Sequence, residues 1–459
     1  MAGVRDKSDF TQGSIPQNIV RMAIPMTAAV LINALYSIVD RIYIGHIPEA
    51  GAFALTGIGL AFPIITIITA FQNLFGNGGA PLFAMASGKG DRDLAAKYLA
   101  NAAFMLVSVG VLLTVVAYAV KKDVLWVIGA SGATFSYAND YLDIYLAGTV
   151  LVMISVGLNP YINAQGYAGT GMVTVMIGAV INIVLDPIFI FVLGMGVRGA
   201  AIATIIAQFV SAMWVLAFLF GKRAPVKLTF KGFRPDFRII WKIARLGVTD
   251  FCFALTNSAV SMICNARLQL LGGDAWVGSM TVISSLREIF LTVLHGIQGA
   301  SKPIISYNYG AKRFDRTKSA INWMFLFLFS YFILMFVLLM AFPGFFAGIF
   351  TDDPEVYECC IISIRVFFCL HFFMAFQSSG QSTFTALGMA RHALFFSLFR
   401  KAILVIPLTF ILPNLFGLGV LGVFAAEPVS DILGGLSCFT TMKIATRKRL
   451  LPGADVPEL

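Results

Sequence analysis

Residues 319–342 read SAINWMFLFLFSYFILMFVLLMAF, twenty-four positions without a charged side chain. About 20 consecutive, mostly apolar residues let a helix cross the hydrocarbon core of a bilayer. Outward from this stretch, similar runs bounded by Gly, Pro and charge recur in both directions. They predict helix 1 over 17–44, helix 2 over 52–80, helix 3 over 97–120, helix 4 over 136–158, helix 5 over 161–192 and helix 6 over 197–221. Beyond a basic connector, helices 7 to 12 are expected over 243–271, 275–305, 319–342, 356–380, 392–412 and 418–443. The expected fold class is an all-α polytopic membrane protein of twelve transmembrane helices.

Composition agrees. Of 459 residues, 58% are hydrophobic and 12% charged, against about 25% charged in an ordinary soluble domain. The mean hydropathy is +0.85, and the polar breaks between runs are short. The first apolar run is longer than a signal-peptide core and has no convincing cleavage pattern, so it is expected to stay as helix 1. The six cysteines, Cys252, Cys264, Cys359, Cys360, Cys369 and Cys438, form no CxxC pair and no metal spacing. Most lie in apolar spans, where a thiol packs as a small hydrophobe.

The net charge is +10, yet no aromatic-basic interleaving on a soluble face points to nucleic acid. Lys and Arg instead cluster in alternate loops, as the positive-inside rule expects. With the N-terminus inside, the inner loops carry Lys89, Arg92 and Lys97, and then Lys222, Arg223, Lys227, Lys231, Arg234 and Arg238. Further along they carry Lys312, Arg313, Arg316 and Lys318, then Arg391, Arg400 and Lys401, and finally Arg447, Lys448 and Arg449. Outer loops hold little beyond Lys121, Lys122 and Arg198, and include the acidic Asp352, Asp353, Glu355 and Glu358. This predicts a multi-pass protein of the cytoplasmic (inner) membrane with both termini cytoplasmic.

An internal repeat is visible. Pro81–Gly88 reads PLFAMASG and Pro303–Gly310 reads PIISYNYG, 222 residues apart, each followed by Lys, Asp and Arg. Gly194, Gly196 and Gly199 are matched by Gly417, Gly419 and Gly422 at an offset of 223. Such markers predict two homologous, pseudo-symmetric six-helix bundles, parallel repeats that enter the membrane from the same side. The expected organisation is an N-lobe over 1–221, a cytoplasmic basic connector over 222–242, and a C-lobe with a cytoplasmic tail over 243–459. The GxGxxG string at 194–199 resembles a dinucleotide loop, but between two spans and with a twin it reads as a tight outer turn.

Ionisable residues at membrane depth are costly and mark function by default. Asp40 lies near the outer end of helix 1 and Asp186 late in helix 5, so both fall in the outer half of one lobe. Asn182 precedes Asp186 by four residues and shares its helix face, and Thr204 falls at similar depth in helix 6. Oxygen ligands suit hard cations such as sodium, and a carboxylate withdrawn from water suits proton uptake. The structural alternative is that Asp40 ends helix 1 in a salt bridge with Arg41, and that Asp186 with Pro187 only forms a kink. In the second half, Glu427 and Asp431 lie four apart on helix 12, Glu427 beside Pro428 and 223 residues after Thr204. Arg287 and Glu288 lie mid-helix 8, with His295 and Lys302 further on and Asp250 near the inner end of helix 7. Adjacent residues do not face one another, so Arg287 and Glu288 need separate partners. Glu427, Asp431, Arg287 and Glu288 are candidates for substrate or secondary coupling. The 42 Phe and 18 Met suit a greasy cavity that accepts varied shapes.

SIVDRIYIG in helix 1, NIVLDPIFIF in helix 5, the following GMGVRGAAIAT, the outer FTDDPEV and the QGASKPIISYNYGA end of helix 8 resemble the multidrug and toxic compound extrusion transporters over essentially all twelve helices. The pattern is most similar to the bacterial DinF-like and MepA-like branch. The resemblance implies two six-helix bundles around a central cavity, and export of cationic, lipophilic small molecules against entry of protons or sodium ions. It implies a cation site in the N-lobe on Asp40, Asn182 and Asp186, with Thr204 beside it. Some members carry acidic coupling residues in helices 7 and 10; this sequence has no acid in helix 10 and only Asp250 in helix 7.

The expected function is therefore secondary active multidrug efflux by alternating access. No enzyme activity and no cofactor beyond the coupling ion are expected, no metal beyond that sodium ion, and no partner beyond small organic cations and lipid; the chain is expected to be a monomer. The alternative is a flippase for a lipid or lipid-linked precursor, which would depend on Arg287 and Lys302. His46, His295, His371 and His392 show no metal-ligand spacing.

Overall fold

A computed structural model describes residues 9–48, 51–229, 235–415 and 417–451. Connector residues Lys231 and Arg234 lie outside the described residues. Every span is helical, and no strand occurs among the described residues. Among the described residues ten helices are long and apolar enough to cross a membrane, or up to twelve when each of two bent pairs is taken as one span. The chain is a multi-pass membrane protein.

The chain divides into two compact units. The first comprises residues 9–10 and Ile24–Gly247, and the second comprises Thr11–Ala23 and residues from Val248 onward. The division falls inside two continuous helices, α1 (Ile15–Gly45) and α9 (Phe237–Gly272). Residues before α1 are tied to the second unit because Arg316 Nη2 donates to the carbonyls of Gln12 at 3.1 Å and Gly13 at 2.9 Å.

In the first unit, α2 (Gly51–Gly88) and α3 (Arg92–Ile128) pack side by side. The fourth span is broken into α4 (Phe135–Ala147), α5 (Thr149–Gly157) and α6 (Asn159–Ala164), with a 61° bend at Gly148. The fifth span is α7 (Ala168–Pro187) with a π-helical turn over Ile188–Val192, and α8 (Gly196–Phe220) completes the unit. Residues 161–167, expected in helix 5, instead end the fourth span. Pro160 opens α6 rather than breaking a helix, since proline is tolerated in a first turn, and the chain reverses at Gly166 with φ +85°. Of the ten candidate spans, α1 has the least buried apolar window, at 6%, and carries Pro25 inside it.

The second unit repeats this plan with α10 (Asp274–Gly310), α11 (Phe314–Ala341) and the short α12 (Pro343–Gly348). A tenth span made of α13 (Pro354–Phe368) and α14 (Met374–Ala386) bends by 42° at His371. The eleventh span runs α15 (Ala390–Leu398), a π-helical stretch over Phe399–Val405, then α16 (Ile406–Ile411), and α17 (Val420–Arg449) ends the unit. Cys264, Leu268, Ile283, Leu286, Phe368 and Phe424 lie at the centre of its apolar core.

The paired glycine strings are tight turns. Gly194 and Gly196 have φ +64° and +54°, and Gly417 and Gly419 have +67° and +53°, a region that only glycine enters freely. Another glycine permits a helix crossing in the first unit. A Cβ on Gly247 of α9 would sit 1.9 Å from the carbonyl oxygen of Leu74 in α2. Gly247→Ala is expected to cost at least about 1–3 kcal/mol. Gly59→Ala, where a Cβ meets nothing within 4 Å, should leave stability unchanged or slightly raised. Monodisperse yield and thermal unfolding in detergent would check the contrast, and equal behaviour of the two would contradict the crossing.

Two sequence readings of charge change here. Lys121 was expected in an outer loop, but α3 continues to Ile128 and Lys121 is buried in it, paired with Asp143 of α4. Arg400 and Lys401 were counted with an inner loop although the helix expected over 392–412 contains them; both lie inside the eleventh span, 3% and 2% exposed. They can stay there because acidic partners meet them, as described next.

Candidate functional site

Asp186 and Asn182 stand one turn apart on α7, 0% and 2% exposed. Asn182 Nδ2 donates to Asp186 Oδ1 at 3.1 Å and lies 3.3 Å from Thr204 Oγ1 on α8. Asp40 arrives from α1 with its carboxyl within hydrogen-bonding reach of the Asp186 carboxyl. The sequence quartet Asp40, Asn182, Asp186 and Thr204 is thus brought together in the first unit. Arg41 turns onto the ring of Phe62, 4.7 Å from its centroid, rather than pairing with Asp40 as the structural alternative required.

The polar balance of this quartet is incomplete. Asp40 Oδ1, Asp186 Oδ2 and Asn182 Oδ1 are buried and receive no donor. Two facing carboxylates with no donor between them repel strongly in a poorly polarisable setting. A shared proton or a small hard cation would supply what these oxygens lack.

The sequence reading missed three tyrosines around the quartet. Tyr36 precedes Asp40 by one turn on α1, and its hydroxyl lies within the electrostatic reach of both carboxyls. Tyr141 of α4, 5% exposed, bonds the Thr204 side chain and stacks on Tyr145 with ring centroids 5.8 Å apart. A signal for Tyr36 was present, because it stands to Asp40 as Asn182 stands to Asp186.

The quartet adjoins a cavity of about 280 Å³ inside the first unit. Tyr36, Asn182 and Thr204 form part of its wall. Much of the remaining polar lining is carboxamide, from Asn33, Asn73, Asn77, Asn159, Asn163 and Gln208, interleaved with Met26, Val30, Met172 and Val175. Neutral amides both donate and accept, and Met surfaces adapt to many shapes, so this lining suits varied amphiphilic ligands.

The second unit gathers Glu427 and Asp431 of α17, as their spacing predicted, with cations that the sequence had placed elsewhere. Arg400 Nη1 donates to Glu427 Oε2 at 2.9 Å and to Asp431 Oδ1 at 2.7 Å. Lys401 donates to Glu427 Oε1. His371, at the bend of the tenth span, bonds Asp431 Oδ2 through Nδ1 at 2.9 Å. Its ring packs edge-on against Phe332 and Phe368 at 5.4 and 5.3 Å. Adjacent residues of an α-helix diverge by about 100°, yet Arg400 and Lys401 both reach α17, and both lie in the π-helical stretch. Arg287 joins with Nη1 3.5 Å from Glu427 Oε1. Glu288 is exposed and stands outside this cluster. Asp250, Glu288 and Lys302 lie instead within the electrostatic reach of His295. Among the described residues no group of three or more His, Cys, Asp or Glu side chains is arranged to hold a metal ion.

Comparison with known proteins agrees with this architecture. The MatE family model matches the chain twice, over residues 25–188 and 252–411, one match in each half of the repeat. The multidrug export protein MepA of Staphylococcus haemolyticus is 24% identical over 426 residues, covering 92% of this chain and 93% of that protein. MepA of Staphylococcus aureus strain MSSA476 is 22% identical over 409 residues, covering 89% and 90%. Among solved structures, one described as MATE in the bent conformation superimposes with a TM-score of 0.90 at 23% identity, covering 97% of this chain and 98% of that one. Another, described as the outward-facing conformation of a multidrug resistance MATE family transporter, gives 0.88 at 23% identity over 97% and 99%. The chain belongs to the multidrug and toxic compound extrusion (MatE) family.

Proposed function

We propose that this chain is a secondary active transporter that exports cationic, lipophilic small molecules in exchange for protons or sodium ions by alternating access. The observation that carries the reading is the pair of facing carboxyls, Asp40 and Asp186, each with one buried oxygen that receives no donor, beside a cavity walled by amides and methionines. The names of the MepA relatives, multidrug export proteins, support export of varied small molecules. Asp40, Asn182, Asp186 and Thr204 are the coupling group in this proposal, with a proton or sodium ion between the two carboxyls. Glu427, Asp431, Arg287 and Glu288 serve substrate or secondary coupling. The working form is a monomer in the inner membrane, with lobes over 1–221 and 243–459, a cytoplasmic connector over 222–242 and both termini inside.

The mechanism follows from repulsion. With both carboxyls charged, α1 and α7 are pushed apart at Asp40 and Asp186. A cation arriving from outside neutralises the pair and allows α1 to repack. That helix can yield because little of it is buried and because Pro25 removes one of its backbone hydrogen bonds. Repacking reshapes the cavity wall at Tyr36, which releases the exported compound. The test is uptake of a dye cation into proteoliposomes while pH and sodium gradients are imposed separately. One of the two gradients is expected to drive accumulation; accumulation under neither would refute antiport.

A further inference from the structure

The ion cluster of the second unit does not balance. Arg287, Arg400 and Lys401 bring three cations to two carboxylates, Glu427 and Asp431. His371 spends its Nδ1 on Asp431 and adds no negative charge. An uncompensated cation at this depth is costly. The surplus can be traced to one residue. Arg400 is held at 2.7 and 2.9 Å, and Lys401 is paired directly with Glu427. Arg287 is held only at 3.5 Å by Glu427 and at 3.4 Å by Asn257 Oδ1, and its buried Nε has no acceptor. Its side chain is also the most open of the three, 17% exposed against 4% and 2%. A guanidinium is a planar fork that matches an oxyanion far better than a point charge does.

We propose that the Nε edge of Arg287 is the docking point for one anionic oxygen group, a carboxylate or a phosphate, which balances the cluster. This goes beyond export of purely cationic compounds, because it admits zwitterionic ones. It does not depend on the carboxyls of the first unit, and it is read by binding rather than by transport. The group can come from a solute or from an anionic lipid headgroup, and the two are separable.

Full-length protein in phosphatidylcholine nanodiscs would be titrated by fluorescence anisotropy with rhodamine 110, which bears a free carboxylate, and with rhodamine 123, its methyl ester. The carboxylate is expected to bind about tenfold more tightly than the ester. That preference should vanish in Arg287→Gln and persist in part in Arg287→Lys. In wild-type protein, inorganic phosphate should compress the preference more than potassium chloride of equal ionic strength, which provides a check that needs no variant. Nanodiscs containing phosphatidylglycerol then separate the sources: a preference lost there identifies the headgroup as an occupant, and one retained identifies the solute, both in support of the site. A wild-type protein without the preference, a preference untouched by Arg287→Gln, or one that phosphate does not compress would overturn the proposal.

Discussion

Proteoliposomes carrying Asp40→Asn are expected to lose gradient-driven accumulation of a dye cation altogether. One monovalent charge moving inward across about 100 mV supplies roughly 2.3 kcal/mol, which corresponds to about 50-fold accumulation before any chemical gradient. An Asn at position 40 offers an amide donor to the Asp186 carboxyl, which now lacks one at Oδ2. The variant therefore mimics the neutralised pair permanently, and α1 has no reason to return. Asp186→Asn should behave alike, because the repulsion needs both carboxyls. Accumulation would fall from about 50-fold to none, while binding of the dye to the cavity should persist. Export at the full rate under an imposed gradient would remove Asp40 from the coupling group.

The second large effect is on folding. Glu427→Gln takes away the carboxylate that faces Arg400, Lys401 and Arg287 together, leaving three buried cations to share Asp431. Removing one partner of a buried pair typically costs about 3–5 kcal/mol, because the remaining charge stays uncompensated. Arg287→Gln changes the same cluster in the opposite sense, since it leaves two cations with two carboxylates, and should cost clearly less than Glu427→Gln. Denaturant unfolding of both variants measures the contrast directly. If Glu427→Gln unfolds where the wild type does, the cluster is not what holds α17 against the eleventh span.

The spans were legible because membrane thickness fixes how long an apolar run must be, and 319–342 meets that length with no charge. The break at 161–167 was not legible. Pro160 can end one helix or open another, and only packing decides which. The quartet of the first unit was readable for two reasons: an intramembrane carboxylate is rare enough to mark itself, and Asn182 with Asp186 has the spacing of one helical turn. Half of the second cluster was readable in the same way, from Glu427 and Asp431. Its cations were hidden because Arg400 and Lys401 follow Arg391 closely, and a basic group near a helix start reads as a loop. Their true position depends on backbone geometry that no residue pattern announces. His371 was passed over because its partner lies 60 residues away in sequence.

That backbone geometry differs between the two halves of the repeat. Two turn glycines with positive φ, Gly166 and Gly388, are 222 residues apart, whereas the next such pair, Gly194 and Gly417, is 223 apart. The later half is therefore one residue longer between those landmarks, and although each half carries a π-helical turn in that interval, Ile188–Val192 in the first and Phe399–Val405 in the second, the second is two residues longer. Such wide turns are rare inside α-helices and are found frequently at functional sites. The longer wide turn carries both Arg400 and Lys401 to α17, so one half holds a pair of acids and the other a knot of mixed charge. Excising a single position from that turn should swing either the guanidinium or the ammonium out of register and undo the cluster on that side.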